Sequence, residues 1–254
     1  GMFAIAWYRP DDRELHLARD PFGVIPLYWT VASGKSQEFV FASELKTLLQ
    51  HPAVRRRVDP FTLSSYLSTI RVTLGERTMI DGLRTVRPGG LVRIRTGGSR
   101  PEITATRWWT PPRATGELTG DAAVECLHAA VSESLEAHLQ SDVEVCGLLS
   151  GGIDSASLLS LARPRYGAFR TFTALGGDGE EDPDRAAADL MAGRLRTEHV
   201  EVPVLSASEP PTDRWRRMVR SLGMPLGTPN EIAINALAEA VRGAGVKVAI
   251  GGEG

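Results

Sequence analysis

The stretch Leu148-Leu149-Ser150-Gly151-Gly152-Ile153-Asp154-Ser155 constrains this chain more than any other. It closes an almost unbroken apolar run, Val143–Leu149, the pattern of a strand buried on both faces. Two glycines then let the backbone turn tightly, and helical periodicity begins after Asp154. A helix that starts there leaves its first N–H groups without partners and sets the positive end of its dipole at the turn. Main-chain groups so arranged receive a polyphosphate without any lysine. Lysine is absent, so this is not the GxxxxGK[ST] loop of nucleotide hydrolases. Ser150 and Ser155 add hydroxyl donors. Asp154 adds a carboxylate suited to a magnesium ion that itself holds phosphate oxygens.

The neighbouring sequence sets this turn in a layered α/β fold. Leu127, Ala130, Val131, Ser134, Leu135 and Leu139 fall at helical spacing. Strands are expected at Arg170–Leu175, His199–Val202 and Val246–Ile250, with helices at Asp184–Leu195 and Pro229–Arg242 between them. The last helix is entered through the capping box Thr228-Pro229-Asn230-Glu231. Strands alternating with helices predict a doubly wound parallel sheet, whose ligands sit beyond the carboxyl ends of the strands. Three turns converge there: Ser150–Ser155, Ala174-Leu175-Gly176 and Gly251–Gly254. The second offers main-chain groups to an adenine ring. The third offers glycine backbone and the carboxylate of Glu253.

Before about residue 105 the chain is built of short strand-like runs: Met2–Tyr8, Glu14–Arg19, Glu38–Ala42 and Gly89–Arg95. Helices are expected at Ser43–Gln50 and at Pro60–Ser68, the latter with Asp59 as N-cap. Arg107–Gly120 is rich in Pro, Thr and Gly, as a linker is. The expected organisation is therefore a first domain over 1–106, a linker over 107–118 and a second domain over 119–254. Arg19 and Asp20 read as a buried pair bracing the first domain, and Trp108-Trp109 as packing at the domain junction. Cys126 and Cys146, without CxxC spacing, read as two buried thiols in a reducing, cytoplasmic setting. A formal net charge of -2 gives no basic field for nucleic acid or an anionic membrane. No apolar run approaches the roughly 20 residues of a membrane helix. The five histidines form no zinc pattern.

Ser150–Ser155 resembles the pyrophosphatase motif of enzymes that cleave ATP between its α- and β-phosphates. Those include the asparagine, argininosuccinate, GMP and NAD synthetases. The first half of the chain narrows the choice. Arg19-Asp20-Pro21-Phe22-Gly23-Val24-Ile25-Pro26-Leu27-Tyr28 resembles the "RDxFGxxPLY" stretch of glutamine-hydrolysing asparagine synthetases. Phe41-Ala42-Ser43-Glu44-Leu45-Lys46 is similar to their "FASExK". Val86-Arg87-Pro88-Gly89-Gly90 is similar to their "LPPGH", with glycine for histidine. Thr197-Glu198-His199 resembles "TEH", and Val246–Gly254 resembles the start of "VxVxLSGEGADE". The resemblance runs along the whole chain in order.

It implies a partial αββα glutaminase domain of the Ntn-hydrolase type, followed by an ATP-pyrophosphatase domain. It implies that the aspartate side chain attacks the α-phosphorus of ATP, and that ammonia from glutamine then displaces AMP to give asparagine. By motif, Leu149, Ser150, Gly151, Gly152 and Ser155 would hold ATP, with Asp154 toward Mg2+. Ala174 would lie beside the nucleotide, Gly251 and Gly252 would contact it, and Glu253 would serve the aminolysis. Gly251 stands where the family has serine. The family's amino-terminal cysteine nucleophile and glutamine-binding residues would precede Gly1, so the chain reads as a piece of a longer enzyme, inactive by itself. A homodimer is the assembly the resemblance allows.

β-Lactam synthetases and lasso-peptide cyclases share this lineage and close rings instead. A non-catalytic nucleotide-binding or regulatory module is the alternative of another class. A first domain that lacks its front half would leave edge strands uncovered. Residues 1–254 alone are therefore expected to be poorly soluble, and a monodisperse sample that melts cooperatively would refute this.

Overall fold

The computed structural model describes residues 1–33, 37–97, 101–113, 116, 118–166, 169–176, 183–205, 209–228 and 230–252. Two compact units divide the chain, residues 1–113 with 215–228 and residues 114–214 with 229–254.

The first unit is made of antiparallel sheets. Strands β1 (Ala4–Arg9), β2 (Glu14–Arg19), β6 (Gly90–Arg95) and β7 (Glu102–Arg107) form a four-stranded sheet in that order. Strands β3 (Tyr28–Ser33), β4 (Gln37–Ala42) and β5 (Arg84–Thr85) form a second sheet, ordered β4-β3-β5. Leu17, Leu27, Val86, Val92 and Ile94 make one core cluster, with Trp29 and Phe39 packed on it. Tyr28, Ala32, Leu45, Leu48, Val54 and Leu83 make another, which includes the short helix α1 (Leu45–Leu48). Strand β3 escapes a sequence reading because both its faces are covered: Trp29 belongs to one cluster, Tyr28 and Ala32 to the other. No polar-apolar alternation survives that arrangement. Helix α2 (Pro60–Thr69) starts as expected, with the Asp59 carboxylate accepting from the Thr62 N–H at 2.8 Å.

Arg19 and Asp20 brace the unit through main-chain hydrogen bonds rather than through each other. Asp20, only 1% exposed, accepts from the N–H groups of Phe22, Val24 and Ile25 at 3.0–3.1 Å. Arg19 donates instead to the carbonyls of Ile25, Gly23 and Val86 and to the Thr85 hydroxyl. Both side chains converge on the same loop, Arg19 binding its carbonyls and Asp20 its N–H groups, so each shapes residues 20–27 through the main chain. Burial alone pushes the Asp20 carboxyl up, but the N–H groups of residues 25, 24, 23 and 22 outweigh it and hold it below the usual aspartate range. Trp108 stacks on Phe3 and Trp109 tilts onto Phe22, contacts that lie inside this unit.

A late segment completes the same unit. Met224 packs on the cluster around Tyr28 and Leu45. Leu226 is 1% exposed, and its carbonyl accepts from the Tyr66 hydroxyl at 2.8 Å.

The second unit is the predicted parallel sheet, ordered β10-β9-β8-β11 from β8 (Val145–Leu148), β9 (Arg170–Leu175), β10 (Glu198–Pro203) and β11 (Val248–Ile250). Helices α4 (Ile153–Tyr166) and α5 (Pro183–Leu195) pack on one face, where Leu149, Leu159, Ala188, Ala192 and Leu195 cluster. Helix α7 (Asn230–Gly243) packs on the other, where Cys146, Phe172, Val202, Ala236, Val241 and Val246 cluster. Helix α3 (Gly120–His138) buries only the end of its expected stripe, at Leu135 and Leu139, while Leu127 is 66% exposed. The expectation of two buried thiols fails for the same reason: Cys126, on that uncovered part of α3, is exposed, and only Cys146 is buried. Helix α6 (Pro211–Leu222), four of whose twelve residues are arginine, carries an apolar stripe at helical spacing, Trp215, Met218, Val219 and Leu222, that the sequence reading passed over.

Asp20→Asn is expected to cost about 1–3 kcal/mol at pH 7, because one carboxylate oxygen becomes a donor facing an N–H group. The native contribution, from a depressed carboxyl, is full above about pH 4 and is lost as pH falls through its folded value. Urea unfolding at pH 7 and pH 3 should therefore show the gap between the two proteins narrowing at the lower pH.

Candidate functional site

All four strands of the second unit run the same way, so their carboxyl ends share one edge. Strand β8 lies between β9 and β11, where the strand order reverses, and this is where such sheets bind ligands. The register carries the predicted residues there. Leu148 is level with Phe172, so Ser150 falls level with Ala174. Ile250 is level with Gly147, so Gly252 falls level with Leu149.

Leu149 itself is part of the core. Its side chain is buried, its N–H donates to the Phe172 carbonyl at 2.9 Å, and its carbonyl accepts from the Thr173 hydroxyl. The turn begins at the next residue. Ser150 donates its N–H to the Ser155 hydroxyl at 3.2 Å, and Gly152 donates toward the Ser150 hydroxyl at 3.4 Å. Helix α4 takes up its own bonding at Ala156, whose N–H donates to the Gly152 carbonyl. The N–H groups of Gly151, Ile153, Asp154 and Ser155 find no acceptor among the described residues. These are the orphan donors of a helix start. Asp154 is exposed in the first helical turn, and Ile153 is 80% exposed beside it.

Both glycines of the turn's immediate surroundings are fixed by space. Gly151 has φ +77°, and a Cβ there would overlap the Asp184 carbonyl oxygen at the start of α5. A Cβ on Gly252 would lie 2.6 Å from the Ser155 nitrogen. The strand-end glycine predicted for the site thus lies directly against the start of α4. Gly251 is roomier, since a Cβ would meet Leu148 Cδ1 at 3.6 Å. Glu253, the remaining predicted group, lies outside the described residues.

Helix α5 is tied to β10 by Arg185, which donates to both Glu201 oxygens at 2.6 and 2.8 Å. Neither this tie nor the Asp184 and Thr173 contacts with the turn carries a motif, so sequence reasoning missed them. Only the unusual demand for glycine at position 151 hints at a neighbour so close. Thr197 and His199 lie at the opposite, amino edge. There the Thr171 hydroxyl is 2.8 Å from Thr197 Oγ1 and 2.9 Å from His199 Nδ1, a join between strands away from the turn. After β10, Arg214 donates to the Val204 carbonyl at 2.7 Å and to Glu209 at 3.0 Å, which fixes that connection.

The site fits a phosphate chain. It presents free N–H groups, the positive end of a helix and a surface of glycine backbone. One carboxylate, on Asp154, suits a magnesium ion whose other ligands are phosphate oxygens and water. Among the described residues no helix is long and apolar enough to cross a membrane.

The profile of the asparagine synthase family matches residues 127–254, and that of the glutamine amidotransferase domain matches residues 1–109. A Mycobacterium tuberculosis H37Rv protein, provisionally named a glutamine-hydrolyzing asparagine synthetase, is 31% identical over 263 residues. Bacillus subtilis 168 asparagine synthetase [glutamine-hydrolyzing] 1 is 30% identical over 257 residues. Amidase chyE of Penicillium rubens is 27% identical over 270 residues. Each alignment covers 100% of this chain and 38% of the relative, so the chain spans well under half the length of these proteins. Members of the family are glutamine-dependent ligases that use ATP. With its phosphate-type turn at the switch point of a parallel sheet and a family profile over residues 127–254, the chain belongs to the asparagine synthase family.

Proposed function

We propose that the protein adenylates the side-chain carboxylate of aspartate and then amidates it with ammonia drawn from glutamine. The observation that carries this reading is the set of unpaired N–H groups at residues 151, 153 and 154, at a helix start beyond the sheet's carboxyl edge. In this reading residues 1–106 are of glutaminase type, 107–118 join the domains and 119–254 bear the nucleotide site.

The chemistry follows from charge. When a carboxylate attacks the α-phosphorus and pyrophosphate leaves, negative charge grows on phosphate oxygens. Donors already fixed in place stabilise that charge with little reorganisation. Ser150, Gly151 and Gly152 form the cradle for the departing phosphates, Ser155 belongs to it as part of the turn's framework, and Leu149 holds its root in the core. Asp154 is the carboxylate placed to hold a magnesium ion, which offsets phosphate charge. Ala174 borders the adenine side. Gly251 and Gly252 bring bare backbone close to the nucleotide, and Glu253 is assigned to the aminolysis that follows.

ATP–pyrophosphate exchange on the full-length gene product tests the reading. Exchange that depends on aspartate is expected. Exchange driven by another carboxylate would move the protein to a ring-closing or other amide ligase, and none with any carboxylate would leave a nucleotide-binding module. The two strand-end glycines give a second test. Gly252→Ala must displace backbone at Ser155, and its affinity for MgATP, measured by calorimetry, is expected to fall at least about tenfold, or ~1.4 kcal/mol. Gly251→Ala meets only ordinary contacts and should bind within about twofold of the native chain, the difference being under ~0.5 kcal/mol.

A further inference from the structure

Ser150 and Ser155 look equivalent in sequence, two hydroxyls flanking one turn. Their surroundings differ sharply. Ser150 is exposed, whereas Ser155 is 4% exposed. The Ser155 hydroxyl accepts from the Ser150 N–H at 3.2 Å, donates to the Gly152 carbonyl at 3.2 Å and lies 3.1 Å from the Ser150 hydroxyl. A hydroxyl has one proton and two lone pairs. All three are used inside the turn: the proton toward Gly152, the lone pairs toward the N–H and O–H of Ser150. Gly252 also lies against the Ser155 nitrogen.

We propose that the Ser155 side chain is a positioning residue, which shapes the phosphate turn before nucleotide arrives and does not itself bind phosphate. It pulls the first residue of the turn toward the helix start and fixes the Gly152 carbonyl, the acceptor of the first α4 hydrogen bond. The N–H groups of Gly151, Ile153 and Asp154 are thereby held facing outward in the ligand-free protein. Ordering them in advance removes that part of the entropy cost from binding. Ser150, whose hydroxyl is exposed at the same turn, remains the side chain that meets the ligand.

This deepens the nucleotide reading given above, and its test has one arm that needs no nucleotide. Amide hydrogen exchange at Ser150 is followed by NMR in ligand-free native, Ser155→Ala and Ser150→Ala proteins. Protection at Cys146 and Phe172 serves as the folding control. Ser155→Ala is expected to speed exchange at Ser150 about tenfold, the scale of one hydrogen bond, while Ser150→Ala leaves that amide protected. MgATP affinity, by calorimetry, should fall about tenfold in Ser155→Ala. Unchanged ligand-free exchange in Ser155→Ala together with weakened MgATP binding would make the hydroxyl a direct phosphate ligand and overturn the proposal. If native protein binds no MgATP, the nucleotide reading fails and the exchange arm still decides the role of Ser155. Should Ser155→Ala lose protection at Cys146 and Phe172, Ser155→Cys is measured in its place against the same two outcomes.

Discussion

The second unit is organised around one unfinished hydrogen-bond ladder, where β8 stops and α4 has not yet begun to pair its own amides. Every neighbour of that gap works to hold it open in one shape. Thr173 fixes the last core carbonyl, the two serines close the turn on itself, and Asp184 and Gly252 press in from α5 and β11. Leaving donors unpaired is costly in a buried place and cheap at a solvent-facing helix start. The fold places its unpaired donors at the one kind of position where they cost little and attract an anion.

Rigidity around the turn comes from the sheet and from α5 together. The Arg185–Glu201 bonds hold α5 to the edge strand β10, and the Thr171, Thr197 and His199 contact joins β9 to β10 at the other end. Because Gly151 touches α5 directly, the helix cannot shift without moving the turn. Burial pushes the Cys146 thiol up, so this buried cysteine on β8 is a packing group, with little thiolate character to act as a nucleophile.

Much of this was readable from residues alone. Val143–Leu149 announces a doubly buried strand, Ser150–Ser155 a strand-to-helix turn, and the alternation that follows a parallel sheet; β9 matches its expected bounds residue for residue. Strand β3 was hidden because two different cores cover its faces, whereas α6 was legible and missed: Trp215, Met218, Val219 and Leu222 fall at helical spacing between its arginines. Arg19 and Asp20 brace the first unit as expected, though the sequence did not reveal that both act through main-chain groups of the 20–27 loop. Contacts with no sequence signature, such as Thr173 to Leu149 or Asp184 to Gly151, become visible only once the register is known. Glu253 is named by its motif alone.

Residues 215–228 belong with the first unit, although 101 residues, 114–214, separate them from its other part. A growing polypeptide emerges at roughly 5–20 residues per second, so this delay lasts on the order of 5–20 s. During that interval the surface that Met224 and Leu226 will cover stands open, and the Tyr66 hydroxyl has not met its acceptor. The amino-terminal sheets therefore cannot reach their final packing in the order in which they are synthesised. Their last step waits for a stretch that is translated after most of the parallel sheet.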